Sequence, residues 1–454
     1  DSGEIRVNGK PTRIATPNDA IAAGIGMVHQ HFMLVDTFTV LENLMLGAED
    51  GLLLRQSRAR ARGEAERLGR EYGLKVDPDA LVEGLPVGEQ QRVEILKVLY
   101  RGARILILDE PTSVLTPQET DQLFRILQAL RDRGVTVILI THKLREILAI
   151  TDEVYVMRQG EVVAHRRTAE TNREELAELM VGRKVRLQLD KPTCVAEAPA
   201  LEARHLGLRD ERGIQVLDDV SLTLRAGEIV GIAGVSGNGQ SELLEVLAGI
   251  RAPDQGEILI QERRIDAANP CDPAKMRLLG LGHVPEDRQR YGMVGSFAAD
   301  ETAILGYHHE ARFNRHGLLD HKAMTTHCDG LMQQFDVRPR RPALNSANFS
   351  GGNQQKLILA RELEHNPKIL LVGQPTRGVD IGAIEFIHNQ IIKMRDAGKA
   401  ILLVSVELDE IRSLSDRILV MFDGRIVGEA DPATATEGEL GLMMAGIASK
   451  EAAE

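Results

Sequence analysis

The chain has 454 residues, of which 43% are hydrophobic and 27% are charged, and its formal net charge is −12. This length exceeds one ordinary domain, and the composition is typical of soluble globular domains. No apolar run approaches the roughly 18 residues of a membrane-spanning helix, so any membrane role would require a separate partner. The acidic balance argues against a nucleic-acid partner. Cys194, Cys271 and Cys328 are far apart, which indicates neither a disulfide framework nor a metal site.

The first residue is Asp1 rather than Met. This start indicates a fragment or a processed chain, so N-terminal targeting signals cannot be read from it.

The sequence contains an internal repeat. Three segment pairs keep a constant offset of 264 positions: 104–113 with 368–377, 153–163 with 417–427, and 174–182 with 438–446. Nearer the N-terminus the offset shrinks to 256 and then to 253. One offset kept over about a hundred residues predicts two copies of one domain. We place the first copy at 1–186, a short linker at 187–200 and the second copy at 201–449.

Two helices are predicted early in the first copy. "RQSRARARGEAERLGR" at 55–70 predicts a solvated helical face, with an anionic membrane surface as a less favoured partner. "QQRVEILKVLY" at 90–100 places Ile95, Leu96 and Leu99 on one face of a second helix.

Two apolar runs follow, each ending in polar residues. "ARILILDE" at 103–110 ends in Asp109 and Glu110, and "VTVILITH" at 135–142 ends in His142. Both are predicted to be buried parallel strands. Ligands bind at the carboxyl ends of such strands, where these three side chains would cluster. Taken alone, the acids could equally be solvated side chains at the exit of a buried strand.

The second copy contains a glycine-rich loop, "GVSGNGQSE" at 234–242. Gly234, Gly239 and Ser241 match the phosphate-binding pattern G-x-x-x-x-G-K-[ST], but Gln240 replaces the lysine. The glycine amides and a helix N-terminus could still hold phosphate, although the loop could also be a structural turn. The corresponding loop of the first copy would fall before residue 1.

The motif "FSGGNQQK" at 349–356, which precedes a strand matching "LILDEP", resembles the signature of the ATP-binding-cassette (ABC) ATPases. The resemblance covers nearly the whole chain. It implies an α/β fold of two tandem P-loop NTPase domains, each with a RecA-like core, an antiparallel β region and a helical subdomain, the first domain being incomplete. ATP and Mg²⁺ are the implied cofactors.

The resemblance also implies roles for individual residues. Glu110 would polarise the attacking water beside the switch residue His142, and Asp109 and Gln30 would hold Mg²⁺. Further nucleotide contacts are implied for the signature residues Ser350, Gly351, Gly352 and Asn353, for Asp380, and for the loop residues Gly234, Gly237, Asn238, Gly239, Gln240 and Ser241.

The family resemblance implies two ATP sites, each shared between the copies. One site takes Glu110 and the signature around Ser350, and its visible parts are intact. The other carries every altered residue, namely Gln240, Glu286, Gly373, Gln374, Val406 and the Pro86 that replaces the signature serine. We therefore expect one competent site and one degenerate site.

Within the family, "VPEDRQRYGMV" at 284–294 and the tandem layout resemble ATPases of bacterial importers for simple sugars and nucleosides, and 26–47 resembles the nucleoside type more closely. Such a subunit would lie on the cytoplasmic face of the inner membrane. Its implied partners are transmembrane permease subunits and, indirectly, a periplasmic or lipoprotein solute-binding protein. The alternatives are a soluble translation factor acting on ribosomes, disfavoured by the short linker and acidic charge, and an inactive fragment without its first loop.

Overall fold

The computed structural model describes residues 2–30, 32–48, 54–112, 115–158, 160–184, 191–192, 197–315 and 317–447. The chain forms two compact units, unit 1 at Asp1–Met180 and unit 2 at Val181–Glu454. The exact limits of the linker predicted at 187–200 stay a prediction. No helix among the described residues is both long and apolar enough to cross a membrane.

Unit 1 alternates short strands and helices. Its strands are β1 (Arg6–Val7), β2 (Lys10–Pro11), β3 (Ile25–Val28), β4 (Ile105–Asp109), β5 (Thr136–Ile140), β6 (Glu153–Arg158) and β7 (Glu161–Arg167). Its helices are α1 (Pro17–Ala22), α2 (Val40–Met45), α3 (Leu54–Tyr72), α4 (Val87–Tyr100), α5 (Pro117–Asp132), α6 (Leu144–Ile150) and α7 (Arg173–Val181).

Strands β3, β4 and β5 form a parallel sheet in that order. Val28 pairs with Leu108, and Asp109 pairs with Ile140, so the three strands end at one edge. Helix α4 packs its predicted face, including the fully buried Ile95, into the core of the unit. The two predicted helices and the two predicted strands are confirmed as elements.

The prediction that the strand at 135–142 is buried was wrong. In β5, Ile138 and Ile140 are 46% and 48% exposed. The exposure alternates along the strand, so Thr136, Ile138 and Ile140 lie on one exposed face. The counterpart strand in unit 2 is fully buried because Gln215–Arg225 and Leu408–Leu414 also pack against it.

Unit 2 has a larger set of elements. Its strands are β8 (Pro199–Arg209), β9 (Gln215–Arg225), β10 (Ile229–Ala233), β11 (Gln255–Ile260), β12 (Arg263–Asp266), β13 (Leu281–Val284), β14 (Asn314–Arg315), β15 (Leu318–Leu319), β16 (Ile369–Gly373), β17 (Ala400–Ser405), β18 (Arg417–Phe422) and β19 (Arg425–Ala430). Its helices are α8 (Gln240–Leu247), α9 (Pro273–Leu278), α10 (Ala299–Ala303), α11 (His321–Gln334), α12 (Gly351–Glu364), α13 (Ile381–Asp396), α14 (Leu408–Leu414) and α15 (Glu437–Met444).

Two sheets organise unit 2. A six-stranded sheet has the order β13-β16-β17-β10-β18-β19 and is parallel except for β19. A four-stranded antiparallel sheet has the order β12-β11-β8-β9. The apolar residues of β10 are completely buried near the centre of the first sheet, so the loop that follows β10 lies at the carboxyl edge. The predicted α/β class is confirmed.

A buried arginine ties helix α13 to the start of β18. Arg395 is 1% exposed and donates to Asp416 Oδ1 at 2.9 Å and to Asp396 Oδ1 at 2.9 Å. It also donates to the carbonyl of Pro192 at 3.0 Å, which attaches this part of the predicted linker to unit 2. Each nitrogen of the Arg395 guanidinium therefore has at least one hydrogen-bond acceptor.

Replacing Arg395 with methionine should lower the free energy of unfolding of unit 2 by about 2 kcal/mol, because it removes charge-assisted hydrogen bonds to Asp416 and Asp396, although Lys191 still pairs with Asp416 at 3.3 Å. Urea denaturation measures the change. The matched control is Arg425→Met, which breaks an exposed pair with Asp218 and should cost at most about 1 kcal/mol. Equal losses for the two variants would contradict a special role for the buried arginine.

Candidate functional site

Three polar side chains meet at the carboxyl edge of the unit 1 sheet. Gln30 lies two residues beyond β3, Glu110 directly follows β4, and His142 lies two residues beyond β5. Glu110 Oε2 accepts a hydrogen bond from Gln30 Nε2 at 2.8 Å, and Glu110 Oε1 lies 2.9 Å from His142 Nδ1. An ionised carboxylate can only accept, so His142 donates from Nδ1 and presents Nε2 elsewhere.

The backbone of Glu110 is unusual. Its φ of 44° lies in the left-handed region, which is uncommon for residues other than glycine, asparagine and aspartate. Its N–H donates to the carbonyl of Ile140 at 2.9 Å, which extends the β4–β5 ladder by one residue. The chain thus turns sharply while still bonded to the sheet, and this turn directs the side chain towards Gln30 and His142. Such strain is often found at functional sites.

The electrostatics of Glu110 suit a proton acceptor. Its side chain is 23% exposed, and the hydrogen bond from His142 lowers the pKa of the carboxyl below its ordinary value, outweighing the burial that raises it. Glu110 is therefore ionised at neutral pH and can accept a proton or orient a water molecule.

The neighbouring oxygen ligands are compatible with Mg²⁺. Asp109 is the last residue of β4 and is only partly buried. Because Gln30 donates through Nε2, its carbonyl oxygen Oε1 remains available as a ligand. A carboxylate and an amide oxygen are ligands that Mg²⁺ accepts, usually with substrate phosphates and water completing its shell. Among the described residues no cluster of three or more His, Cys, Asp or Glu forms a metal site by itself.

The glycine-rich loop of unit 2 joins β10 to α8. Gly237 and Gly239 have φ values of 92° and 99°. A Cβ on Gly239 would lie 2.6 Å from the carbonyl oxygen of Val216, so this position requires glycine. The loop is also held to the β18–β19 turn, since Asn238 Oδ1 accepts from Asp423 N at 3.0 Å. The conformation of the loop is therefore fixed by its glycines and by a hydrogen bond to the neighbouring turn.

Gln240 occupies the interior of this loop. Its side chain is buried, and its Nε2 donates to the carbonyl of Val235 at 3.0 Å. A Cβ on Gly234 would lie 2.0 Å from that nitrogen, so the amide packs directly against the loop backbone. The residue that replaces the lysine thus supplies a neutral donor inside the cradle and no positive charge.

In unit 2 the counterparts of Glu110 and His142 meet through a backbone atom, and the counterpart of Gln30 has a different partner. Gln374 has the same left-handed backbone as Glu110, with φ 45°, but its Oε1 accepts from Val406 N at 3.3 Å. Glu286 instead accepts a short hydrogen bond from Ser241 Oγ. The backbone framework is preserved, while the side-chain chemistry differs.

The signature residues begin helix α12. Ser350 is the N-cap, and its Oγ accepts from Asn353 Nδ2 at 2.8 Å. Gly351 and Gly352 form the first turn, where Cβ atoms would approach Arg288 and Asp380. In unit 1, the corresponding N-cap of α4 is Pro86, and neither Pro86 nor Ser350 makes a side-chain capping hydrogen bond to its helix.

Asp380 caps helix α13. Its Oδ1 accepts from Ala383 N at 3.0 Å, and its Oδ2 lies 3.1 Å from where a Cβ on Gly352 would be. The structure therefore places Asp380 beside the signature loop of its own unit. Its implied contact with nucleotide stays a prediction.

Sequence reasoning missed Arg288, which lies against the signature loop. It donates to Gln354 Oε1 at 3.2 Å and to the carbonyl of Arg377 at 2.8 Å, and a Cβ on Gly351 would be 2.7 Å from its Nη2. A single arginine 63 positions before Gly351 gives no signal in the sequence.

A glycine loop between a buried strand and a helix, found in unit 2, and acids at the end of a parallel strand, found in unit 1, are both typical of P-loop nucleotide hydrolases. The family profile described as ABC transporter matches residues 1–113 and 217–377. The chain belongs to the ABC transporter family, and the two matched regions confirm the tandem ABC ATPase domains.

Three relatives match over nearly the whole chain. It is 46% identical to the nucleoside import ATP-binding protein NupA of Lactococcus lactis, covering 98% of this chain and 87% of that protein. It is 47% identical to the guanosine import ATP-binding protein NupO of Bacillus subtilis, covering 100% and 88%. It is 44% identical to the glucose import ATP-binding protein TsgD13 of Haloferax volcanii, covering 98% and 86%.

The hydrogen bond between His142 and Glu110 should make stability depend on pH in a defined direction. A carboxyl whose pKa is lowered in the folded state stabilises the protein above its ordinary pKa of 4.5, and this contribution is lost as the pH falls through the lowered value. His142→Ala should therefore cost about 1 kcal/mol at pH 7, and the cost should shrink steadily below pH 4.5.

Urea unfolding across this pH range measures the effect. His165→Ala is the matched control, because His165 pairs with Glu153 on an exposed hairpin and should matter less at every pH. A cost of His142→Ala that stays constant down to acidic pH would contradict the assignment.

Proposed function

We propose that this chain is the ATP-binding and ATP-hydrolysing subunit of a bacterial importer, with a nucleoside as the transported solute and a simple sugar as the alternative. Family membership and the contact of Gln30 and His142 with Glu110 support ATP hydrolysis. The names of the relatives support import, and the relatives that are 46% and 47% identical to this chain are named for nucleoside and guanosine import. These relatives do not favour a ribosomal factor.

Hydrolysis is proposed to take place at Glu110. Its carboxylate orients a water molecule and accepts the developing proton, while the histidine N–H fixes one carboxylate oxygen and the glutamine amide fixes the other. Two directional contacts hold the group in one orientation before substrate arrives, which reduces the reorganisation needed during the reaction. Mg²⁺ held near Asp109 and Gln30 would neutralise phosphate charge when bound.

Unit 2 is proposed to contribute in a different way. Its signature loop around Ser350 supports the hydrolysis that depends on Glu110, as the family resemblance implies. Its own loop serves no hydrolysis, because Gln374 is an amide whose oxygen already accepts from Val406 N. One hydrolytic step in each cycle is sufficient to reset a two-state transporter.

The partners follow from the import function. We propose that the chain binds transmembrane permease subunits at the cytoplasmic face of the membrane, as a peripheral subunit. A periplasmic or lipoprotein solute-binding protein would deliver the solute to that permease. Nucleotide-driven closure would then be transmitted to the permease, and hydrolysis would reopen the protein.

Exchanging the acid and the amide between the units tests the hydrolytic assignment. Glu110→Gln should lower ATP turnover by about 100-fold or more, because it removes the proton acceptor. The reciprocal variant Gln374→Glu should leave turnover unchanged, because Val406 and Glu286 stand where unit 1 has His142 and Gln30. Phosphate release by the protein assembled with its permease in vesicles is the measurement. Equal sensitivity of the two positions would contradict the division of roles.

The two signature loops provide a second test. Ser350→Ala should slow turnover about fivefold, which corresponds to the loss of one hydrogen bond. The matched change Pro86→Ser restores a hydroxyl in unit 1 and should not raise turnover, because that loop is assigned to the degenerate site. A gain of activity in Pro86→Ser would refute the assignment.

A further inference from the structure

The loop at 234–241 lacks the charge that normally attracts phosphate. None of its eight residues is charged, and Gln240 donates to the loop's own backbone. The nearest acidic side chain is Glu286, which contacts Ser241. The cation beside Glu286 is Arg377, whose side chain is 51% exposed and whose Nη1 lies 3.7 Å away. An exposed arginine at this distance offsets little of the negative charge of Glu286.

Glu286 reaches Ser241 because Gly373 leaves room for it. A Cβ on Gly373 would lie 2.8 Å from the backbone nitrogen of Glu286 and 3.1 Å from its Cα. In unit 1, the position of Gly373 is held by Asp109, and the position of Glu286 is held by Gln30. Each unit therefore has one carboxylate at these two positions. In unit 1 the carboxylate ends the strand β4, whereas in unit 2 it follows β13, the neighbour of the strand β16 that corresponds to β4.

A serine hydroxyl can donate one proton and still offer lone pairs to a metal ion. Ser241 donates its proton to Glu286. Its lone pairs therefore remain free, and a carboxylate that orients a metal ligand in this way strengthens metal binding. Mg²⁺ is commonly bound by one or two protein oxygens together with substrate phosphates. The residues present thus fit a magnesium ion that arrives with a nucleotide.

We propose that unit 2 binds a nucleoside triphosphate only together with a divalent cation, and that Glu286 supplies the carboxylate that Asp109 supplies in unit 1. Without the ion, polyphosphate would meet an uncharged loop beside the carboxyl group of Glu286. With the ion, one divalent cation would offset the negative charge of both the polyphosphate and Glu286. This inference deepens the proposed function by assigning unit 2 a nucleotide that is bound and not hydrolysed.

The 454 residues contain no tryptophan, so one introduced tryptophan gives a selective donor for fluorescence. Ile214 is 58% exposed and lies two residues before Val216, whose carbonyl borders the loop at Gly239. In an Ile214→Trp background, energy transfer to a mant-labelled, non-hydrolysable ATP analogue reports binding. Titrations are made with Mg²⁺ and with excess EDTA, and every variant lies in unit 2, so a variant-dependent signal belongs to that unit.

Binding in the parent protein should require Mg²⁺. Glu286→Gln, which installs the side chain of Gln30, should weaken binding with Mg²⁺ about 10- to 100-fold and reduce the effect of EDTA. Ser241→Ala should give the same loss by removing the hydroxyl. Gln240→Lys should increase binding in EDTA about 10- to 100-fold, since it adds a charge-assisted hydrogen bond.

Glu245→Gln is the matched control. It removes one charge from helix α8, where Glu245 accepts from Tyr291 rather than from the loop, and should leave the Mg²⁺ dependence unchanged. The proposal is overturned if the parent binds equally well in EDTA, if it does not bind with Mg²⁺, or if Glu286→Gln and Ser241→Ala bind like the parent. Turnover that still depends on Glu110 would show that the proposed function survives such a result.

Discussion

The functional arrangement of unit 1 depends on the parallel register of three strands. The strands β3, β4 and β5 end together at one edge of the sheet. Gln30 and His142, which are 80 and 32 positions away from Glu110 in the chain, therefore come within hydrogen-bond distance of its carboxylate. The left-handed turn at Glu110 then brings that carboxylate to Gln30 and His142. Without this register neither the lowered pKa of Glu110 nor its fixed orientation would arise.

Unit 2 shows that the framework and the chemistry are separable. Gln374 repeats the left-handed turn, and the glycine loop keeps the φ values that bring its amides together. The core around β10 and β16 is fully buried, so the fold is stabilised by apolar packing that does not involve the site. Substitutions at the sheet edge can therefore change the reaction without unfolding the domain, which explains how one copy can specialise.

Much of the fold and part of the site could be predicted from the sequence, because repeats, apolar runs and strand ends are local patterns. The clustering of Glu110 with His142 followed from the two strand ends. The exposure of one face of β5 could not be predicted, since it depends on which elements pack against that face. The contact of Ser241 with Glu286 also escaped prediction, because it joins residues 45 positions apart through space that a glycine leaves open. Arg288 was missed for a similar reason.

The close packing at Gly373 couples two positions of unit 2. An aspartate placed there would collide with the backbone of Glu286 and with Leu244 unless the neighbouring segment moved. An acid at the end of β16 therefore demands a shift of the backbone as well as a new side chain, so a designer who wants a hydrolytic second unit must change residues 286 and 373 together.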